Sequence, residues 1–174
     1  MQGFGDIMEN TDHRQRVLLF LKLFSSTAAI ERLIGSSDPN ATADQLCSLW
    51  INEIYIPGLR YRDGLKGDRR KEEVERFESQ FSRIELALLE QFHRFLELRL
   101  EMLPKRLAEE RTFPQGAFWQ NIIAHARRIL EEIDPEGLEL DELVARGSAL
   151  LNRARGGRLS VGSEPDAHQN GEGG

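Results

Sequence analysis

A heptad repeat of apolar residues between positions 69 and 102 constrains the fold of this chain more than any other feature of its sequence. Its nine seam positions, of which all but Gln91 are apolar, are Val74, Phe77, Phe81, Ile84, Leu88, Gln91, Phe95, Leu98 and Met102. Such a repeat is typical of a helix that packs along one seam. An unbroken helix over 69–102 is about 50 Å long, which exceeds the ~40 Å diameter of a compact globule of this size. The repeat therefore predicts one long central helix in an elongated bundle.

A second apolar stripe accompanies the C-terminal half of this predicted helix. It comprises Leu86, Leu89, Phe92, Leu96, Leu100 and Leu103. Two apolar faces on one helix indicate that two or more neighbouring elements cover it. The N-terminal half has a single apolar face, so the pattern favours that half as the place where a homodimer would form.

Helical periodicity also appears on both sides of the heptad segment. It covers residues 11–34, 42–56, 114–133 and 139–153, with turn residues between these stretches. Residues 25–27, Ser-Ser-Thr, interrupt the first stretch, which indicates either a kink or a break into two helices. Pro57 and Gly58 predict the end of the second stretch, although residues 54–62 also allow a short hairpin.

Together these segments predict an all-α fold, a bundle of about four to six helices. The bundle forms a single domain over residues 1–155, which is long enough to bury a core without a disulfide or a metal. Residues 156–174 are rich in glycine and polar side chains, and they contain too little apolar surface to offset the entropy of ordering. We expect them to form a disordered tail.

Charge and composition narrow the environment of the protein. The chain has 29 acidic and 23 basic residues, a net charge of -6, which disfavours a general nucleic-acid binder. Its longest apolar stretch, residues 17–21, is far shorter than the ~20 residues that span a bilayer. Residues 1–10 contain no lysine or arginine, unlike a secretory signal. We therefore expect a cytoplasmic protein that is not associated with a membrane. The single cysteine, Cys47, lies on the predicted buried face of a helix, so no redox role is expected.

One segment, residues 50–71, combines aromatic and basic residues in a way that the rest of the chain does not. Between positions 60 and 71, six basic residues stand against Asp63 and Asp68, a local charge of +4. The candidate binding residues are Trp50, Tyr55, Arg60, Tyr61, Arg62, Lys66, Arg69 and Arg70. Aromatic rings and guanidinium groups are enriched at the centres of protein interfaces. The segment therefore predicts a recognition surface, with a solvated connector as the alternative interpretation.

Glu90, His93 and Glu97 lie three and four residues apart, so that one helical face presents two carboxylates and an imidazole. Helix-bundle di-iron sites use a Glu-x-x-His pair, but they need it twice and need further glutamates. The sequence does not repeat the pair at its other histidines. A solvated or hydrogen-bonded His93 is the favoured interpretation, with a metal site as the weaker one. No cofactor is predicted.

The motifs of common catalytic sites are absent from the sequence, including the nucleophile elbow, the His-Glu-x-x-His helix and the dinucleotide fingerprint. We therefore predict a protein-interaction or regulatory module that contacts a protein partner through residues 50–71. Two alternatives stay open. One is binding of a phosphorylated ligand or, less favoured, a nucleic acid through the same cations. The other is an enzyme with an unrecognised acid–base or metal site.

Overall fold

The computed structural model describes residues 12–58, 68–106 and 113–159. All regular elements in these ranges are helical, which confirms the all-α class. The α-helices are α1 (His13–Phe24), α2 (Thr27–Ile34), α3 (Pro39–Leu49), α4 (Asp68–Glu78), α5 (Arg83–Arg106), α6 (Ala117–Ile133) and α7 (Leu140–Leu159). The described ranges thus contain seven α-helices where the sequence pattern predicts four to six.

The first periodic stretch is broken into two helices, which decides between the two interpretations of residues 25–27. The Ser25 hydroxyl donates to the carbonyl of Lys22 at 3.0 Å, and the Ser26 hydroxyl accepts from the amide of Ala29 at 3.2 Å. These local hydrogen bonds compete with the helical ladder. As a result α1 ends at Phe24, and Ser26 is the N-cap of α2.

Helix α3 begins earlier than its periodicity predicts, because Pro39 occupies its first turn and the Asp38 carboxylate caps the amide of Asn40 at 3.1 Å. At its end it widens into a π-helix, Trp50–Ile54, which is followed by a 3-10 turn, Ile56–Gly58. The described part of residues 54–62 is therefore a helical turn, and the hairpin alternative does not apply to it. Residues 59–62 lie outside the described ranges.

The heptad segment forms two helices and not the single helix predicted over 69–102. Ser82 and Glu85 form a capping box at the break, in which the Ser82 hydroxyl accepts from the Glu85 amide at 3.2 Å and the Glu85 carboxylate accepts from the Ser82 amide at 2.8 Å. This arrangement starts a new helix immediately before Arg83. The argument for an elongated bundle depended on one unbroken helix, so it no longer applies.

The orientation of α5 also differs from the heptad prediction. Leu89, Phe92 and Leu96 are buried, so the second apolar stripe is the one that faces the core. By contrast, Ile84 is 75% exposed and Leu98 is 62% exposed. The heptad seam of α5 therefore lies at least partly on the surface of the domain.

Aromatic side chains fill the centre of the core. The Trp50 ring lies 5.0 Å from Phe20 and 5.1 Å from Phe92, and Phe24 packs within 6.5 Å of Phe92, centroid to centroid. Helix α1 supplies Phe20 and Phe24 and packs against α2, α6, α7 and the π-helix. This explains why the sequence of α1 is apolar on more than one face.

The single cysteine is buried. Burial raises the pKa of the Cys47 thiol to about 12, so the thiol stays protonated.

None of the helices in the described ranges is both long enough and apolar enough to cross a membrane. Helix α7 continues to Leu159, past the predicted boundary at 155, and residues 160–174 lie outside the described ranges.

Two histidines, His13 and His125, are buried or half-buried, which predicts a fold that is less stable in acid. Burial lowers the pKa of His13, and this effect outweighs the opposite effect of Glu73, which lies 3.5 Å away. Burial also lowers the pKa of His125. The Nε2 atoms of both rings are buried without a hydrogen bond. Because the unfolded chain binds these protons more readily, the stabilising effect of the neutral rings is complete above the ordinary pKa of about 6.5 and is lost as the pH falls.

We expect the unfolding midpoint in thermal melts to fall between about pH 7.5 and about pH 5.5, where carboxylates stay ionised. The slope for each proton taken up cannot exceed about 1.4 kcal/mol per pH unit. His13→Gln should reduce that pH dependence, whatever its effect on stability at neutral pH. If His13→Gln and His125→Gln both keep the pH dependence of the wild type, the assignment to these two histidines is wrong.

Candidate functional site

Two sets of residues that the sequence keeps apart meet at one place on α5. Trp50 and Tyr55 belong to the predicted recognition segment, whereas His93 and Glu97 belong to the weaker metal candidate. In the structure the Trp50 indole Nε1–H donates to His93 Nδ1 at 3.2 Å, and His93 Nε2 lies 3.2 Å from Glu97 Oε1. The Tyr55 ring covers His93 at 4.5 Å. We call these four residues the His93 cluster.

The π-helix brings the two aromatic residues of the His93 cluster to the histidine. The Tyr55 amide donates to the Trp50 carbonyl at 3.0 Å, which closes the wide turn. This places the Trp50 side chain in the core with 0% exposure and stacks the Tyr55 ring on it at 5.4 Å. His93 follows Phe92 on the buried side of α5 and meets both rings there.

The hydrogen bond from Trp50 determines the state of the His93 ring. Because an indole N–H can only donate, Nδ1 of His93 must accept, and the proton of the neutral ring sits on Nε2. From there it is donated to Glu97. His93 is therefore a hydrogen-bond donor toward its surroundings, and both of its ring nitrogens have protein partners.

The other residue of the metal candidate is engaged as well. The Glu90 carboxylate pairs with Arg94 at 2.6 Å on the exposed side of α5. Within residues 12–58, 68–106 and 113–159, no group of three or more His, Cys, Asp or Glu side chains is arranged to hold a metal ion. Glu90, His93 and Glu97 do line one cavity, but the structure gives each of them a protein partner.

That cavity has a volume of about 400 Å³ and lies between the 3-10 turn, the end of α4 and one side of α5. Its lining residues are Tyr55, Pro57, Gly58, Glu78, Arg83, Leu86, Ala87, Glu90, His93, Arg94 and Glu97. Burial, reinforced by Glu90 and Glu78, raises the pKa of Tyr55 to about 12, so its phenol stays protonated. The arrangement offers hydrogen-bonding groups and charges of both signs at one cavity.

The structure describes only some of the recognition residues that the sequence predicts. Arg60, Tyr61, Arg62 and Lys66 lie outside the described residues. Arg69 and Arg70 lie in the first turn of α4, where Arg70 is half-buried and the Arg69 side chain is not described.

Trp50 is fully buried, whereas Tyr55 is 6% exposed and lines the 400 Å³ cavity. The large aromatic surface that suggests recognition is used instead to pack the π-helix against α5. The binding role of Trp50, Tyr55 and the basic segment that follows them stays a prediction.

The part of the predicted heptad seam that lies on α5 is largely exposed. Ile84, Leu98 and Met102 are 75%, 62% and 44% exposed, and Gln91 is exposed between them. Leu88 and Phe95 are half-buried at the edge of the same face. We call these six residues the outer seam. The heptad repeat is the signal that marks it, although the repeat itself does not say whether the seam faces inward or outward.

Comparison of the chain with models of known protein families, with curated proteins and with solved structures finds no match. Interpretation of the site therefore depends on its geometry.

The contact between Gly58 and His93 can be tested with a single methyl group. A Cβ atom on Gly58 would lie 2.7 Å from both Cε1 and Nε2 of His93, whereas one on Gly137 would meet nothing within 4 Å. We expect Gly58→Ala to destabilise the protein by about 1–3 kcal/mol because the His93 ring must move. Gly137→Ala should change stability by less than about 1 kcal/mol.

Urea denaturation followed by tryptophan fluorescence measures both effects, since Trp50 loses its His93 partner when the ring moves. Equal stability of the two variants, with unchanged emission, would mean that the His93 cluster is less tightly packed than the contact indicates.

Proposed function

We propose that this protein is a helical protein-interaction module that pairs with a second copy of itself through the outer seam of α5. The observation that supports this is the exposure of Ile84, Leu98 and Met102 along one helical face. Apolar residues that recur along one exposed helical face mark a binding surface more often than apolar residues exposed singly do. The heptad spacing adds that the partner is a helix.

The spacing of the outer seam favours a second copy as that helix. Ile84 and Leu98 lie seven residues on either side of Gln91. A two-fold axis that passes beside Gln91 would therefore set Ile84 of each copy against Leu98 of the other, in an antiparallel arrangement. Such an interface is self-complementary, as closed dimers require.

Polar residues beside the axis are compatible with this arrangement. The Gln91 amide both donates and accepts, so two copies of it satisfy each other. Glu90 and Arg94 flank Gln91 on the exposed side and pair with each other at 2.6 Å. An axis beside Gln91 sets Arg94 of one copy level with Leu88 of the other, so the Glu90–Arg94 pair stays within each copy at the rim of the interface.

The proposal moves the dimer contact from where the sequence pattern placed it. The sequence favours the N-terminal half of the heptad segment, which forms α4 and the break after it. The most exposed apolar residues lie in α5 instead.

The proposal also includes a non-catalytic role and a cytoplasmic location. The single cysteine favours the cytoplasmic location, because small domains of oxidising compartments are rich in disulfides.

We expect the wild-type protein to sediment as a dimer and Leu98→Glu to sediment as a monomer with unchanged helicity. The buried carboxylate would have no partner at the interface, which should weaken association by about tenfold or more. Leu140→Glu is the matched control, since Leu140 is a 38% exposed leucine on α7, away from the seam. A wild-type monomer at all concentrations, or a dimeric Leu98→Glu, would refute the proposal.

Cross-linking resolves the direction of the pair. Because Cys47 is buried, cysteines introduced at the surface react without interference. A mixture of Ile84→Cys and Leu98→Cys should yield the mixed disulfide in preference to either homodisulfide if the helices are antiparallel. Preference for the homodisulfides would indicate a parallel pair and would contradict the two-fold axis beside Gln91.

We propose residues 60–71 as a second contact surface, for an acidic protein partner. Joint replacement of Arg60, Tyr61 and Arg62 should weaken capture of that partner while helicity and melting temperature stay nearly unchanged. Capture with and without nuclease, over a range of salt concentrations, separates this from the nucleic-acid alternative, which predicts nuclease-sensitive binding that falls steeply with salt. Loss of the fold in the triple variant would show that the segment is structural.

A further inference from the structure

A second cavity, beside α1, is lined by basic and apolar side chains. It has a volume of about 220 Å³ and lies between α1, α7 and the turn that precedes α7. Its basic lining residues are Arg16, Lys22 and Arg146, and its apolar ones are Leu18, Leu19 and Leu138. The cavity contains no residue of the His93 cluster or of the outer seam. In a chain with a net charge of -6, three cations around one small cavity are a local reversal of sign.

The three cations differ in whether the protein neutralises them. Lys22 Nζ pairs with Asp134 at 2.9 Å, and an Arg146 nitrogen pairs with Glu142 at 2.5 Å. In the described part of the chain, the Arg16 guanidinium has no hydrogen bond and no carboxylate within 4.0 Å. Glu53 acts on it only over a longer distance, and Arg153 opposes its charge.

Arg16 is also partly withdrawn from water. Burial lowers the pKa of its guanidinium, and this effect is larger than the attraction of Glu53. A desolvated charge without a counter-ion is destabilising, and proteins therefore pair such charges as a rule. An anion in the cavity would supply the missing partner.

We propose that this cavity binds a small organic anion, namely a carboxylate with a short unbranched aliphatic chain. The guanidinium of Arg16 offers parallel donors that match the two oxygens of a carboxylate. Leu18, Leu19 and Leu138 provide an apolar wall for the chain. Arg146 is half-exposed and paired only with a carboxylate of its own helix, so it is placed to turn toward the ligand.

Titration calorimetry at constant ionic strength with acetate, butyrate, hexanoate and octanoate tests the proposal. Each methylene that enters the cavity should strengthen binding by up to about fourfold, until the chain reaches the limit of the cavity. Inorganic phosphate serves as the anion without an apolar part and should bind more weakly than octanoate. Binding that does not depend on chain length, or tighter binding of phosphate, would overturn the assignment of an aliphatic carboxylate.

Variants locate the site. Arg16→Gln should weaken octanoate binding by about tenfold or more, because a charge-assisted hydrogen bond is lost. Arg94→Gln is the matched control, since Arg94 is an exposed arginine on α5, and its affinity for octanoate should equal that of the wild type. Leu138→Ala should weaken the binding of octanoate but leave that of acetate unchanged.

The stability of Arg16→Gln separates a binding role from a structural one. Because Arg16 has no ion-pair partner to lose, its replacement should leave the melting temperature of the ligand-free protein unchanged or raise it. Octanoate should raise the melting temperature of the wild type and not that of Arg16→Gln. A marked loss of stability in the ligand-free variant, together with unchanged octanoate affinity, would show that Arg16 is structural and that the cavity is not the proposed site.

Discussion

The position of helix α5 depends on one local interaction, the capping box between Ser82 and Glu85. Arg14 of α1 donates from both of its terminal nitrogens to the same Glu85 carboxylate, at 2.9 Å each. Its guanidinium and the capping hydrogen bonds hold the pKa of Glu85 below its ordinary value. Glu85 thus starts α5 and attaches that start to α1 at the same time. Without the break, one continuous helix would keep the whole heptad seam on the same side. The break allows the seam to be buried at Phe77 and exposed at Ile84.

Helix α5 has two apolar faces, of which one is buried in the core and the other is exposed. His93 and Leu98 are five residues apart, which separates them by about 140° around the helix. The side with Phe92 and His93 packs on Trp50, which donates a hydrogen bond to the histidine. The side with Leu98 is left exposed. A single helix therefore carries both the buried polar cluster and the surface on which the proposed dimer depends.

Periodicity in the sequence was sufficient to predict the helices but not the direction that each face points. α6 lies close to its predicted position, because Pro114 and Asp134 mark its two ends in the sequence. The heptad repeat correctly marked residues that need a partner, yet it could not show whether that partner lies within the chain. The burial of Trp50 could not be predicted for a similar reason, since the π-helix that buries it has no signature in composition. The capping box at Ser82 and Glu85 was readable in the sequence and would have predicted the break.

Two arginines of α1 show how the same residue type acquires different surroundings in one helix. Arg14 and Arg16 are two residues apart, so they point in directions about 200° apart around the helix. Arg14 meets the Glu85 carboxylate, and that hydrogen bond raises its pKa. Arg16 enters the leucine-lined cavity and meets none, so burial dominates and lowers its pKa. Local sequence and helix geometry are almost the same for the two. The difference lies in what the neighbouring helices place opposite each side chain, and for Arg16 the fold itself places no carboxylate there. The attraction of Glu53 compensates that charge only in part, which is why we propose an anionic ligand for the cavity.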